Sequence, residues 1–151
     1  MLMEQTTELV GISEIADYLP HEAPMVMIDC IYRCEGSGTT TGLMIRADNI
    51  FVKDNVFTEP GIVENIAQTA AAKGGYEVKK LGADPVIGFI GALKDLKIYF
   101  HPPVGSELIT VIALKNEVFS VALIEGRSTC NGQLVAECEM KIFMQKPEMK
   151  S

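Results

Sequence analysis

With 151 residues, 48% of them hydrophobic and 22% charged, the chain has the size and composition of one domain, 1–151, able to bury a core without metal or disulfide support. A formal net charge of −7 argues against a nucleic-acid binder, because phosphate binding needs a basic surface to release counterions. No apolar run approaches the ~18 residues of a membrane span, and Met1-Leu2-Met3-Glu4-Gln5 lacks the apolar segment of a signal peptide, so the expected compartment is the cytoplasm.

In chain order, Ser13 heads Glu14-Ile15-Ala16-Asp17-Tyr18-Leu19, which reads as a short helix with a serine N-cap, stopped by Pro20. Met25 to Arg33 is apolar and β-branched enough for a strand; Gly36-Ser37-Gly38 turns the chain, and Thr39 to Ile45 returns. A polar, irregular stretch runs through Lys53-Asp54-Asn55. The only long helix follows, with Pro60 in its first turn and Thr58 or Glu59 as cap. Ile62, Ile66, Ala67, Ala70 and Ala71 recur at helical spacing as a small-residue apolar face. Lys79 and Lys80 complement the C-terminal dipole, and Gly82 stops the helix. Each glycine of the Gly74-Gly75 pair costs about 1 kcal/mol of helix stability, which close packing against a sheet would explain.

The rest reads as strand. Ile87 to Phe100 is one long segment, bent at Gly91 and ended by Pro102-Pro103. Glu107 to Leu114 is apolar on both faces, as in a central strand, and a tight turn at Lys115-Asn116-Glu117 leads into Val118 to Arg127. In the last strand Leu134, Ala136, Cys138, Met140, Ile142 and Met144 share one face, and Glu137, Glu139 and Lys141 the other. Cys30 and Cys34 lie four apart in one expected strand, too far apart to bond to each other. With Cys130 and Cys138 they show no metal-ligand spacing, so free buried thiols are expected. A helix this apolar cannot leave its small-residue face wet. The economical arrangement is α+β: a curled antiparallel sheet wrapped around one long central helix.

Several stretches carry a family resemblance. Leu19-Pro20-His21 with Pro24 and Asp29, then Pro60-Gly61 with Glu64-Asn65-Ile66-Ala67-Gln68, form its first half. Ile87-Gly88-Phe89-Ile90-Gly91, Pro102-Pro103-Val104-Gly105-Ser106-Glu107-Leu108 and Gly132-Gln133-Leu134-Val135-Ala136-Glu137 form its second. In this order, from about Leu19 to Phe143, they resemble the 3-hydroxyacyl-[acyl-carrier-protein] dehydratases of fatty acid synthesis, including divergent relatives of aryl-polyene-like pathways. The resemblance implies a hot-dog fold with a core at about 19–144, paired with a second subunit. Its substrate would be an acyl thioester on acyl carrier protein or coenzyme A.

Dehydration needs a proton removed beside the thioester carbonyl and another delivered to the departing hydroxyl. The resemblance implies that Glu64 is the catalytic acid, fixed by Gln68 four residues on, and that Gly61 and Gln68 contact substrate near the helix N-terminus, where amides stabilise a developing oxyanion. From the residues alone, Glu64 also suits dipole compensation, and Gln68 a core or interface hydrogen bond. The family histidine, in the loop before the helix, is missing: no histidine occurs between Asn49 and Glu59, and Pro60-Gly61 sits two residues nearer Glu64 than in the family pattern. His21 falls at a position not regarded as catalytic, so a structural or surface role is expected; His101, before two prolines, is expected to be exposed.

Three readings follow: a dehydratase-like enzyme using Glu64, a hot-dog thioesterase using the same carboxylate, or a non-catalytic subunit completing a heterodimer with a catalytic relative. A homodimer is the default. No residue set suggests a metal, nucleotide or flavin cofactor.

Overall fold

The computed structural model describes residues 7–83 and 88–144. A 3-10 helix at Ile15–Tyr18 precedes strands β1 (Cys30–Glu35), β2 (Gly38–Met44), β3 (Val52–Lys53) and β4 (Val56–Phe57). Helix α1 spans Glu59–Lys80 and is followed by β5 (Gly88–Ile98), β6 (Glu107–Val118), β7 (Val121–Cys130) and β8 (Gln133–Met144). The six long strands form one antiparallel sheet in the order β1-β2-β6-β7-β8-β5; β3 and β4 form a separate hairpin.

The sheet is not curled around the helix as the sequence suggested. It is open, with β1 and β5 as two edges that do not meet. The reason lies in what covers α1. One flank packs on β2, β6 and β7, where Ile62 and Ile66 join a core with Leu43, Leu108, Ile112 and Ile124. Another is covered by the N-terminal segment: Val10, Ile15, Leu19, Ile28 and Ile31 cluster with Ala72. The helix is sandwiched between a sheet and an N-terminal strap, so its burial needs no closure.

Other expectations shift in instructive ways. The short helix is capped by Glu14 without a side-chain hydrogen bond, not by Ser13. The first strand opens at Cys30 rather than Met25, because backbone groups of Met25 and Met27 bond to α1 side chains instead of a ladder. The irregular stretch contains the β3–β4 hairpin, turned by Asp54 and Asn55 at φ 52° and 66°. The turn expected at Lys115–Glu117 lies at Phe119–Ser120; a register shift between Leu114 and Asn116 absorbs the intervening residue and β6 runs on to Val118.

Gly82 ends α1 with φ +77°, and Gly91 marks a register shift in β5, both as expected; Ile87, the expected start of that strand, lies outside the described residues. β8 buries Ala136, Cys138, Met140 and Ile142 in the alternation read from its sequence. The buried face of α1 is less apolar than expected: Asn65, Gln68 and Thr69 are fully buried alongside Ile62 and Ile66.

Candidate active site

Those buried polar residues organise the site. Asn65 accepts a hydrogen bond from Thr110 of β6, which is bonded to Ser128 of β7 at 2.8 Å, and Thr69 meets Thr41 of β2 at 2.8 Å. Buried polar groups are tolerated when paired, and these pairs fix the rotation of α1 over the sheet. That rotation sends Glu64 and Gln68 to the flank facing residues 21–27.

Gln68 donates from Nε2 to the Met25 carbonyl at 2.7 Å and to Glu64 Oε1 at 3.0 Å. Its own oxygen accepts the Met27 N–H at 2.6 Å, and Asn65 donates to the Met27 carbonyl at 2.8 Å. One carboxamide therefore ties the strap to the helix and holds the carboxylate one turn away. Both polar contacts of that carboxylate fall on Oε1: the second is His21, whose Nε2 lies 3.7 Å away. This is ion-pair range, somewhat beyond a hydrogen bond. His21 Nδ1 is buried with no hydrogen-bond partner among the described residues.

Glu64 and His21 line one cavity of about 240 Å³, walled by Ala67 and Ala71 of α1, the start of β5, and Ile142 and Met144 of β8. Of the residues expected in the site, Glu64 and Gln68 come together, while Gly61 is not part of the cavity wall. It sits in the first turn, where a β-carbon would stand 2.6 Å from both Phe51 and Phe57, so the helix start packs closely on the β3–β4 hairpin. His101 is exposed and also outside this cavity. His21, expected to be structural or at the surface, is half-buried in this cavity wall beside Glu64, a neighbourhood that the sequence did not reveal.

The cysteines are free; burial pushes the thiols of Cys30 and Cys138 up to about 11, which leaves little thiolate for nucleophilic attack at neutral pH. Among the described residues no cluster of three His, Cys, Asp or Glu side chains could hold a metal ion, and no helix is long and apolar enough to cross a membrane.

A family model described as ApeP-like, ApeP dehydratase, matches residues 13–151. The chain belongs to the ApeP-like dehydratase family. It is 29% identical over 153 residues to the 3-hydroxyacyl-[acyl-carrier-protein] dehydratase FabZ of Vibrio atlanticus (strain LGP32), covering 93% of this chain and 96% of that one. The FabZ of Campylobacter lari is 28% identical over 151 residues, covering 90% and 98%. Among solved structures, the dehydratase heterocomplex ApeI:P from Xenorhabdus doucetiae includes a chain that superposes with a TM-score of 0.81 at 18% identity, covering 87% of this chain and 91% of that one. This likeness establishes the hot-dog fold; the ApeP-like assignment rests on the family match.

Proposed function

We propose that this ApeP-like protein acts in the cytoplasm as one subunit of a dimeric dehydratase, removing water from a 3-hydroxyacyl thioester carried on acyl carrier protein or coenzyme A. The observation that carries the reading is Glu64, held by Gln68 in the wall of an otherwise apolar cavity beside His21. A carboxyl group so placed can deliver a proton to a departing hydroxyl while its apolar walls take the acyl chain. Gln68 contributes by holding that carboxyl from behind the cavity wall, while Gly61, outside the wall, lets the helix start pack on the β3–β4 hairpin.

The partner is a second hot-dog subunit. A heterodimer with a catalytic relative is favoured by one specific observation: residues 49–59 contain no histidine, so a homodimer holds none at the family position. The ApeI:P heterocomplex offers a precedent for two dehydratase chains working together.

The test follows enoyl absorbance from a short 3-hydroxyacyl thioester, with the protein alone and co-purified with a relative that carries the loop histidine. Turnover that falls about 10²-fold or more in Glu64→Gln is the expected result. Free thiol release from acyl-coenzyme A, lost in the same variant, would select a thioesterase instead. Tight binding of carrier protein without turnover in any assembly would leave a non-catalytic subunit.

A further inference from the structure

We propose that His21 and Glu64 form a proton-handling pair within one chain, with His21 acting as the base that the loop before α1 does not provide. This rests on the dehydration reading above.

Three observations meet at this pair. First, His21 Nε2 and Glu64 Oε1 are 3.7 Å apart in the wall of one cavity, so a shift of less than about 1 Å brings them into hydrogen-bond contact. Second, the imidazole has one usable face. Nδ1 is buried without a partner among the described residues, and Nε2 is the nitrogen directed at the carboxylate. Third, the strap carrying His21 is anchored on both sides: Leu19 is buried before it, and the Met25 and Met27 backbone groups bond to Gln68 after it. Gln68 also holds Glu64, so one side chain fixes both members of the pair.

Among the described residues, the cavity lining offers no third ionisable side chain. Of the elements packed around the cavity, α1 contributes Glu64 as its only ionisable lining residue. The start of β5 supplies Gly88, Phe89 and Ile90, and β8 supplies Ile142 and Met144, none of which titrates. Among the described lining residues, His21 and Glu64 are the whole proton inventory.

The chemistry balances with one proton on the pair. In the reactive form Glu64 carries that proton and His21 is neutral. Nε2 takes the proton from the carbon beside the thioester carbonyl, and the C–H electrons become the new C=C bond. The C–O bond at the next carbon breaks, its oxygen takes the Glu64 proton, and water leaves. The result is an imidazolium facing a carboxylate, and proton transfer from Nε2 to Glu64 restores the starting state. No metal, cofactor or co-reactant is consumed.

The experiment measures enoyl formation across pH for wild type, His21→Asn, Glu64→Gln and the double variant, using the full chain alone and in complex with a histidine-bearing relative. His21→Asn is expected to lower kcat about 10²- to 10⁴-fold, leave KM within about threefold, and remove one limb of the pH profile. The double variant should be little worse than either single one, because the two residues act as a unit. Full kcat and both limbs retained in His21→Asn would overturn the proposal and point to a histidine from the partner subunit. If wild type turns over in no assembly, the dehydration reading fails separately. The pairing is then judged by NMR titration of the His21 ring, where a curve unchanged by Glu64→Gln overturns it and an altered curve supports it.

Discussion

The Gln68 carboxamide commits both N–H hydrogens and its oxygen to the Met25 carbonyl, the Glu64 carboxylate and the Met27 N–H. Truncating it would leave the buried Met27 N–H and the part-buried Met25 carbonyl unpaired, the buried group alone costing about 1–3 kcal/mol. Gln68→Ala is therefore expected to lower unfolding free energy by roughly 2–4 kcal/mol in urea denaturation. It should also release the carboxylate and depress turnover. Unchanged stability would mean that water replaces the carboxamide and that the strap is held by Asn65 alone. The i, i+4 spacing of Glu64 and Gln68 made their contact legible in the sequence. His21 was not legible as their neighbour, because nothing periodic links residue 21 to residue 64. The link runs through the strap, whose course is set by hydrogen bonds from Asn65 and Gln68, two side chains that a search for apolar periodicity passes over.

At the scale of elements, the adjacent glycines of α1 have different work. A β-carbon at Gly75 would stand 1.9 Å from the Tyr18 carbonyl oxygen, backbone that cannot yield without moving the 3-10 helix. At Gly74 the nearest atom is the terminal methyl of Met144, 3.3 Å away at the end of a flexible side chain. Close packing therefore accounts for Gly75, against the strap rather than against a sheet, and does not account for Gly74. Replacing helical glycine by alanine gains up to about 1 kcal/mol of propensity. Gly74→Ala should keep most of that gain. Gly75→Ala should destabilise by more than it gains, through loss of contact between strap and helix. Denaturation midpoints moving in opposite directions would confirm the distinction; a rise for Gly75→Ala would show that the strap adjusts easily. The elements that were legible are those with a buried alternation, such as β8. The β3–β4 and β6–β7 turns were not, because their positive φ values fall on Asp54, Asn55 and Phe119, without a glycine to announce them.

For the whole molecule, the open sheet leaves β5 as an edge strand whose one hydrogen-bonded neighbour among the described strands is β8. Free edges invite pairing with another chain unless they are blunted. Here the strand carries Phe89, Ile90 and Leu93, at least 40% exposed, and Phe89 pairs across β8 with the exposed Phe143. An apolar patch of this kind marks an interaction surface more often than a solvated one. The composition and helix spacing gave no warning of it, since the expected curled sheet would have buried this strand. Its location gives the patch a functional consequence: Phe89 and Ile90 also line the cavity that holds Glu64 and His21, so whatever covers β5 completes one wall of the site. A second hot-dog subunit is the occupant that the proposed dimer requires. Leu93 lies on this strand but outside the cavity lining, which makes it a probe of association separable from chemistry. Leu93→Lys is expected to shift the protein from dimer to monomer in analytical ultracentrifugation and to reduce turnover in parallel with dissociation. Activity should return at high concentration, where mass action restores the pair. A monomeric variant with full turnover would mean that one chain closes its own cavity, and the partner would then serve delivery of the acyl carrier rather than the chemistry.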